Sequence, residues 1–182
     1  MTKSALFDAS CGLVPSRINL KRHEDNRGFF CELWKSSGFD LTVAQCNFSS
    51  SSYGTVRGLH WQVPPFEIHK YVVCLDGIIQ DVAVDLRKSS STFGKAHLFL
   101  LEECEGLFVP AGFAHGFMVI SKTAKVLYLQ NKEYAQAAER SLYFADPELQ
   151  IPWNSKVQFH KLSLKDSKAP LFKDLTNADL FP

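Results

Sequence analysis

Along most of this chain, apolar residues alternate with polar ones or gather in short runs, and they seldom recur at helical spacing. Segments 28–34, 43–48, 56–62, 67–75, 78–86, 95–101, 106–109, 114–120 and 124–130 each read as a strand. Clusters of Gly, Pro, Ser, Asp and Asn separate them, such as Leu75-Asp76-Gly77 and Val109-Pro110-Ala111-Gly112. Many short strands at regular spacing predict a mainly β sandwich or barrel. Residues 137–146 and 163–181 are more mixed, and are expected to form short helices or a packed tail.

The alternation also sorts side chains by face. In 67–75, Ile68, Lys70, Val72 and Cys74 share one face, so Lys70 is a lone charge on an apolar surface. It is either a functional group or an edge-strand lysine that discourages aggregation. In 78–86, Val82, Val84 and Leu86 form an apolar face, with Asp81 and Asp85 opposite. Gln45 and Asn47 point the same way. Strict alternation sets Arg57 and His60 on opposite faces of 56–62, unless Gly58 permits a bulge.

Composition narrows the classes. The chain has 182 residues, 46% hydrophobic and 21% charged, which is enough for one cored domain spanning residues 1–182. A net charge of +1 gives no footprint for nucleic acid or a membrane surface. The N-terminus lacks the apolar stretch of a signal peptide and no run approaches membrane-spanning length, so a cytoplasmic protein is expected. The five cysteines (Cys11, Cys31, Cys46, Cys74 and Cys104) include no CxxC pair, and read as reduced, mostly buried thiols.

Candidate chemistry centres on "TVRGLHWQVPPFEIHKY". The spacing from Gly54 to His60, with Glu67 beyond, resembles the first motif of metal-binding cupins. "VPAGFAHGF" resembles the second, ending at His115. The second histidine of the usual pair is Gln62 here, so the ligand set is broken and no metal is expected. His60 is a candidate general base, with Asp166 of "LSLKD" as a carboxylate that would fix its tautomer. On spacing alone a hydrogen-bonded core histidine is an equal reading. His69, His97 and His160 are expected to have surface or structural roles. Tyr134 either donates a proton or simply packs.

Longer motifs carry a resemblance to the dTDP-4-dehydrorhamnose 3,5-epimerase family of the cupin superfold. "EDNRGFFCELW" is similar to its DxRGxFxE segment, with Asp25, Arg27, Gly28, Phe30 and Glu32. "RGLHWQVPP", "DVAVDLRKSSSTFGK", "VPAGFAHGF", "LYLQNKEYAQAAERSLYFADPELQIPW" and "LSLKD" resemble further blocks, in order, over nearly the whole chain. The resemblance implies a cupin-type jelly-roll barrel with short C-terminal helices, a homodimer without metal or cofactor, acting on a nucleotide-diphospho-sugar. It implies catalytic roles for His60 as base, Asp166 as its partner, Lys70 at the sugar 4-keto oxygen and Tyr134 as acid on the opposite face. Arg27, Glu32, Gln45, Asn47, Arg57 and His115 match positions that bind substrate. The chain departs from the family pattern at His23, Trp61 and Gln136. A 3,4-ketoisomerase or a non-catalytic nucleotide-sugar-binding cupin on the same scaffold are the rival expectations.

Overall fold

Two five-stranded antiparallel sheets face each other across an apolar interior. The computed structural model describes residues 14–37 and 41–182; Cys11 lies outside them. Strands are β1 (Ser16–Asn19), β2 (Arg22–Asp25), β3 (Gly28–Cys31), β4 (Gln45–Ser52), β5 (Val56–Gln62), β6 (Lys70–Asp76), β7 (Ile79–Asp85), β8 (Ala96–Leu101), β9 (Glu105–Val109), β10 (Phe113–Val119), β11 (Thr123–Gln130) and β12 (Glu139–Ser141). One sheet has the order β1-β9-β6-β11-β4 and the other β12-β5-β10-β7-β8, while β2 and β3 form a separate hairpin. This is the expected mainly β jelly roll. No helix among the described residues is long and apolar enough to cross a membrane.

The period-two pattern explains the interior. Val72 and Cys74 of β6, Val126 of β11, Ile79 and Ala83 of β7, and Phe113 and Phe117 of β10 meet between the sheets, all essentially buried. Each such side chain contributes on the order of 1.5–3 kcal/mol through apolar burial. Lys70 lies on the same face of β6, and β6 is a central strand. The edge-strand reading of this lysine is therefore wrong.

The Val82–Val84–Leu86 face looks away from that interior. It packs with Leu59 and Trp61 against the C-terminal segment, including Phe172, Leu180 and Phe181. Trp61 Nε1 donates to the Asp179 carbonyl at 2.7 Å, and Arg87 forms a bridge with Phe181. The tail is thus an outer layer on this sheet. Its regular elements are one helical turn, α1 (Leu164–Ser167), and a 3-10 turn at Phe172–Asp174.

Three local expectations need correction. Residues 139–141 form β12 rather than helix, adding an edge strand beside β5. Strands β1 and β2 carry no apolar alternation in "SRIN" and "RHED", and backbone pairing to β9 and β3 orders them instead. Cys46 is exposed on edge strand β4, while Cys74 and Cys104 are buried and Cys31 is half-buried.

Candidate active site

One end of the barrel opens into a cleft of about 390 Å³. Its wall includes Asn47, Arg57, His60, Lys70, His115, Tyr134 and Asp166, which come from β4, β5, β6, β10, the segment after β11, and α1. Seven of the expected residues thus converge from distant parts of the chain.

The bulge suggested by Gly58 is what brings Arg57 and His60 to one cleft. His60 pairs with His115 and Arg57 with Phe117, so three steps along β5 match two along β10. Gly58 has φ +116, where a side chain is strained. A Cβ there would lie 2.6 Å from Cα of Gly116 and 2.7 Å from the His115 carbonyl oxygen. Only glycine fits this contact. Arg57 donates from Nε to Ser51 Oγ at 3.0 Å, which anchors the guanidinium at the cleft wall.

Asp166 reaches His60 because the tail is tied to the start of β5. Lys161 donates its backbone N–H to the Gly54 carbonyl at 2.7 Å and accepts from Val56 N–H at 3.0 Å. Ser163 then caps α1, accepting from Asp166 N–H at 3.0 Å. The Asp166 carboxylate lies 2.6 Å from His60 Nε2. Burial pushes the Asp166 carboxyl up, but hydrogen bonds from His60 and Ser163 and the nearby positive charge outweigh it, so its pKa lies below the ordinary value. An ionised carboxylate only accepts, so His60 carries its proton on Nε2 and keeps a lone pair on Nδ1. That is the arrangement of an oriented base.

Lys70 donates from Nζ to the His60 carbonyl at 3.2 Å. Burial lowers its pKa to about 8, with the Asp81 and Glu139 carboxylates pulling the other way. It stays cationic at neutral pH in a low-dielectric cleft, where positive charge is most effective. His115 places Nε2 at 2.9 and 3.0 Å from the two oxygens of the fully buried Asp81, which holds the ring against the cleft.

Tyr134 is 52% exposed at the cleft mouth. Its backbone N–H donates to Gln45 Oε1 at 2.7 Å, and its hydroxyl donates to Glu139 Oε2 at 2.5 Å. The Glu139 bond raises the Tyr134 pKa, so the phenol keeps its proton through neutral pH. Lys165 also pairs with Glu139. Burial pushes the Glu139 carboxyl up, but hydrogen bonds from Lys165 and Tyr134, with the Lys165 charge, hold it below the ordinary value. Glu139 and Lys165 escaped the sequence reading. Glu139 reaches the site only because β12 pairs with β5 in the register Glu139↔Gln62.

Other expectations fall outside the cleft wall. Arg27 pairs with Asp25 at 2.6 Å on the exposed β2–β3 hairpin, and Glu32 pairs with Lys35 at 3.1 Å just beyond it. Gln45 acts on the site through Tyr134 and through Asn47, to which its Nε2 donates at 2.9 Å. His69 accepts from Ala111 N–H, and His97 and His160 pack edge-on against Phe113 and Phe144. None of these three histidines lines the cleft, and His160 is exposed. No cluster of three potential ligands for a metal occurs among the described residues.

Comparison with known proteins places this geometry in context. The dTDP-4-dehydrorhamnose 3,5-epimerase family pattern matches residues 15–174. The dTDP-4-dehydrorhamnose 3,5-epimerase of Shigella flexneri is 41% identical over 165 residues, covering 86% of this chain and 88% of the relative. The dTDP-4-dehydrorhamnose 3-epimerase of Streptomyces niveus is 35% identical over 174 residues, covering 91% and 83%. The crystal structure of a dTDP-6-deoxy-D-glucose-3,5-epimerase from Legionella pneumophila Philadelphia 1, in complex with dTDP-4-keto-L-rhamnose, superposes with a TM-score of 0.85 at 35% identity over 92% of both chains.

Proposed function

Because the chain belongs to the dTDP-4-dehydrorhamnose 3,5-epimerase family, we propose that it inverts C3, C5 or both in a nucleotide-linked 4-keto-6-deoxy sugar, within rhamnose-type deoxysugar biosynthesis. The observation that carries this reading is the 2.6 Å His60–Asp166 pair in one cleft with Lys70 and Tyr134.

The C4 ketone acidifies the protons on C3 and C5. His60 Nδ1 removes one of them, and the bonding electrons move to O4 as an enolate. The resulting imidazolium is balanced by the Asp166 carboxylate. Lys70 stabilises the enolate oxygen, an interaction strongest in the transition state. Tyr134 delivers a proton to the opposite face of the ring, which inverts the carbon. Lys165 offsets the negative charge that then lies on Tyr134 beside Glu139. Solvent takes the proton from His60 and returns one to Tyr134. Arg57 and Asn47 offer donors to the sugar and diphosphate, and an arginine fork suits phosphate oxygens, while His115 lines the cleft beside them.

The functional unit is proposed to be a homodimer. Arg27 and Glu32 resemble substrate-binding residues, yet sit on a hairpin apart from their own chain's cleft. That hairpin exposes Phe29 and Phe30, and edge strand β4 exposes Phe48 beside the cleft. A second copy is the partner that would cover these apolar groups and receive the hairpin.

Incubation with dTDP-4-keto-6-deoxyglucose in D₂O tests the reaction. Deuterium at both C3 and C5 is the result expected of a 3,5-epimerase, and label at one carbon that of a single-centre enzyme. No label at either carbon, or migration of the ketone to C3, would overturn the proposal.

A further inference from the structure

Gln62 stands where metal-binding cupins have their second histidine, and the proposed mechanism gives it no task. It is only 4% exposed, and both ends of its amide are engaged. Nε2 donates to the Phe66 carbonyl at 2.7 Å and to the Glu133 carbonyl at 3.4 Å, while Oε1 accepts from Ala135 N–H at 2.7 Å. Two carbonyls and one N–H admit only this orientation of the amide. A buried polar group satisfied in this way holds its partners in one arrangement.

Those partners have a common address. Glu133 and Ala135 are the two chain neighbours of Tyr134, so one amide grips the chain on both sides of it. The backbone of Gln62 stands opposite Glu139 in the β5–β12 ladder, and Val63 N–H donates to the Ala138 carbonyl at 3.0 Å. Glu139 in turn accepts the Tyr134 hydroxyl. One point on β5, two residues from His60, thus sets both members of the Tyr134–Glu139 pair. The other side-chain ties on this segment are Lys132 to the Pro65 carbonyl at 2.7 Å and Tyr134 N–H to Gln45, at or before Tyr134. Gln62 holds the peptide that follows it.

We infer that Gln62 is a positioning residue for Tyr134, its buried amide fixing where the phenol meets the cleft. Gln62 itself moves no proton. The inference deepens the epimerase reading and rests on the role given there to Tyr134. It also gives the position a use in a cupin without the metal motif: the residue that would ligate an ion instead braces the segment carrying the acid.

A residue that only supports the fold would slow proton abstraction and proton delivery together, whereas one that places Tyr134 affects delivery. Gln62→Met keeps the length and removes the amide. In D₂O this variant is expected to keep total deuterium uptake at C3 and C5 within about threefold of wild type, with epimer formation down roughly 10- to 100-fold, the scale of a small misplacement. Gln62→Glu keeps the acceptor for Ala135 N–H and is expected to fall between Gln62→Met and wild type; it supplies the same reading if Gln62→Met does not fold. Uptake and epimer formation falling in step in a variant folded by circular dichroism would overturn the inference. Wild-type epimerisation by Gln62→Met would overturn it as well. Tyr134→Phe is the control: epimerisation at the wild-type rate there would instead reject the role of Tyr134 on which the inference rests.

Discussion

Replacing His60 by asparagine is expected to lower kcat by roughly 10³- to 10⁴-fold, while affinity for dTDP stays within about threefold of wild type. General-base catalysis by a positioned side chain contributes about 10²–10⁴-fold, and His60 is the more accessible of the two histidines in the cleft wall. His115 faces it across the β5–β10 ladder and is held through Nε2 by Asp81 in the same way, but its side chain is only 4% exposed against 28% for His60. Tyr134 keeps its phenol proton, and Lys70 is largely an ammonium at neutral pH. Asparagine retains a short polar side chain facing Asp166, so α1 should remain docked. Single-turnover kinetics, with dTDP binding by calorimetry, separate the two effects. A kcat within tenfold of wild type would remove His60 from the mechanism.

The Lys70→Met variant is expected to lose roughly 10²- to 10³-fold in kcat, comparable to the removal of one oxyanion donor. The methionine stem fits the apolar face of β6 that already carries Val72 and Cys74, so stability should not fall. The stronger signature lies in pH. Burial depresses Lys70 to about 8, so its charge is present below that pH and is lost above it. The kcat/KM of the wild type should therefore decline as pH rises through about 8. In Lys70→Met the residual activity should show no such decline from this group. An unchanged alkaline limb in the variant would assign it to another residue and leave Lys70 without an electrostatic role.

What the sequence made legible was local. Period-two alternation found the lone charge at Lys70 and set Gln45 with Asn47. Gly58 marked the bulge that brings Arg57 into the same cleft as His60. These features depend on one strand and its immediate neighbours. The less legible features depend on long-range register. Asp81 looked like the polar side of a strand, because nothing near it reveals a partner 34 residues on at His115. Glu139 lay in a segment too mixed to read as a strand, and becomes part of the site only through pairing with β5. The meeting of His60 with Asp166 across 106 residues was one candidate pairing on residue chemistry, and only the family resemblance singled it out. Its physical cause is the tail, tied down at Lys161 and by the packing of Phe181 and Leu180 on Trp61. Arg27 and Glu32 mark the other limit. Their sequence motif speaks of substrate, but a single chain does not bring them to its own cleft.

The two-face mechanism is tested most directly by Tyr134→Phe in D₂O, with product stereochemistry read by NMR. If His60 abstracts the proton and Tyr134 serves the opposite face, the variant should still exchange C3 or C5 hydrogen with solvent. The deuteron would return from His60 to the face it left, so label should appear with retained configuration while epimer formation falls at least about 100-fold. Epimerisation at the wild-type rate would contradict the role of Tyr134, and loss of exchange together with epimerisation would contradict the assignment of proton abstraction to His60 alone.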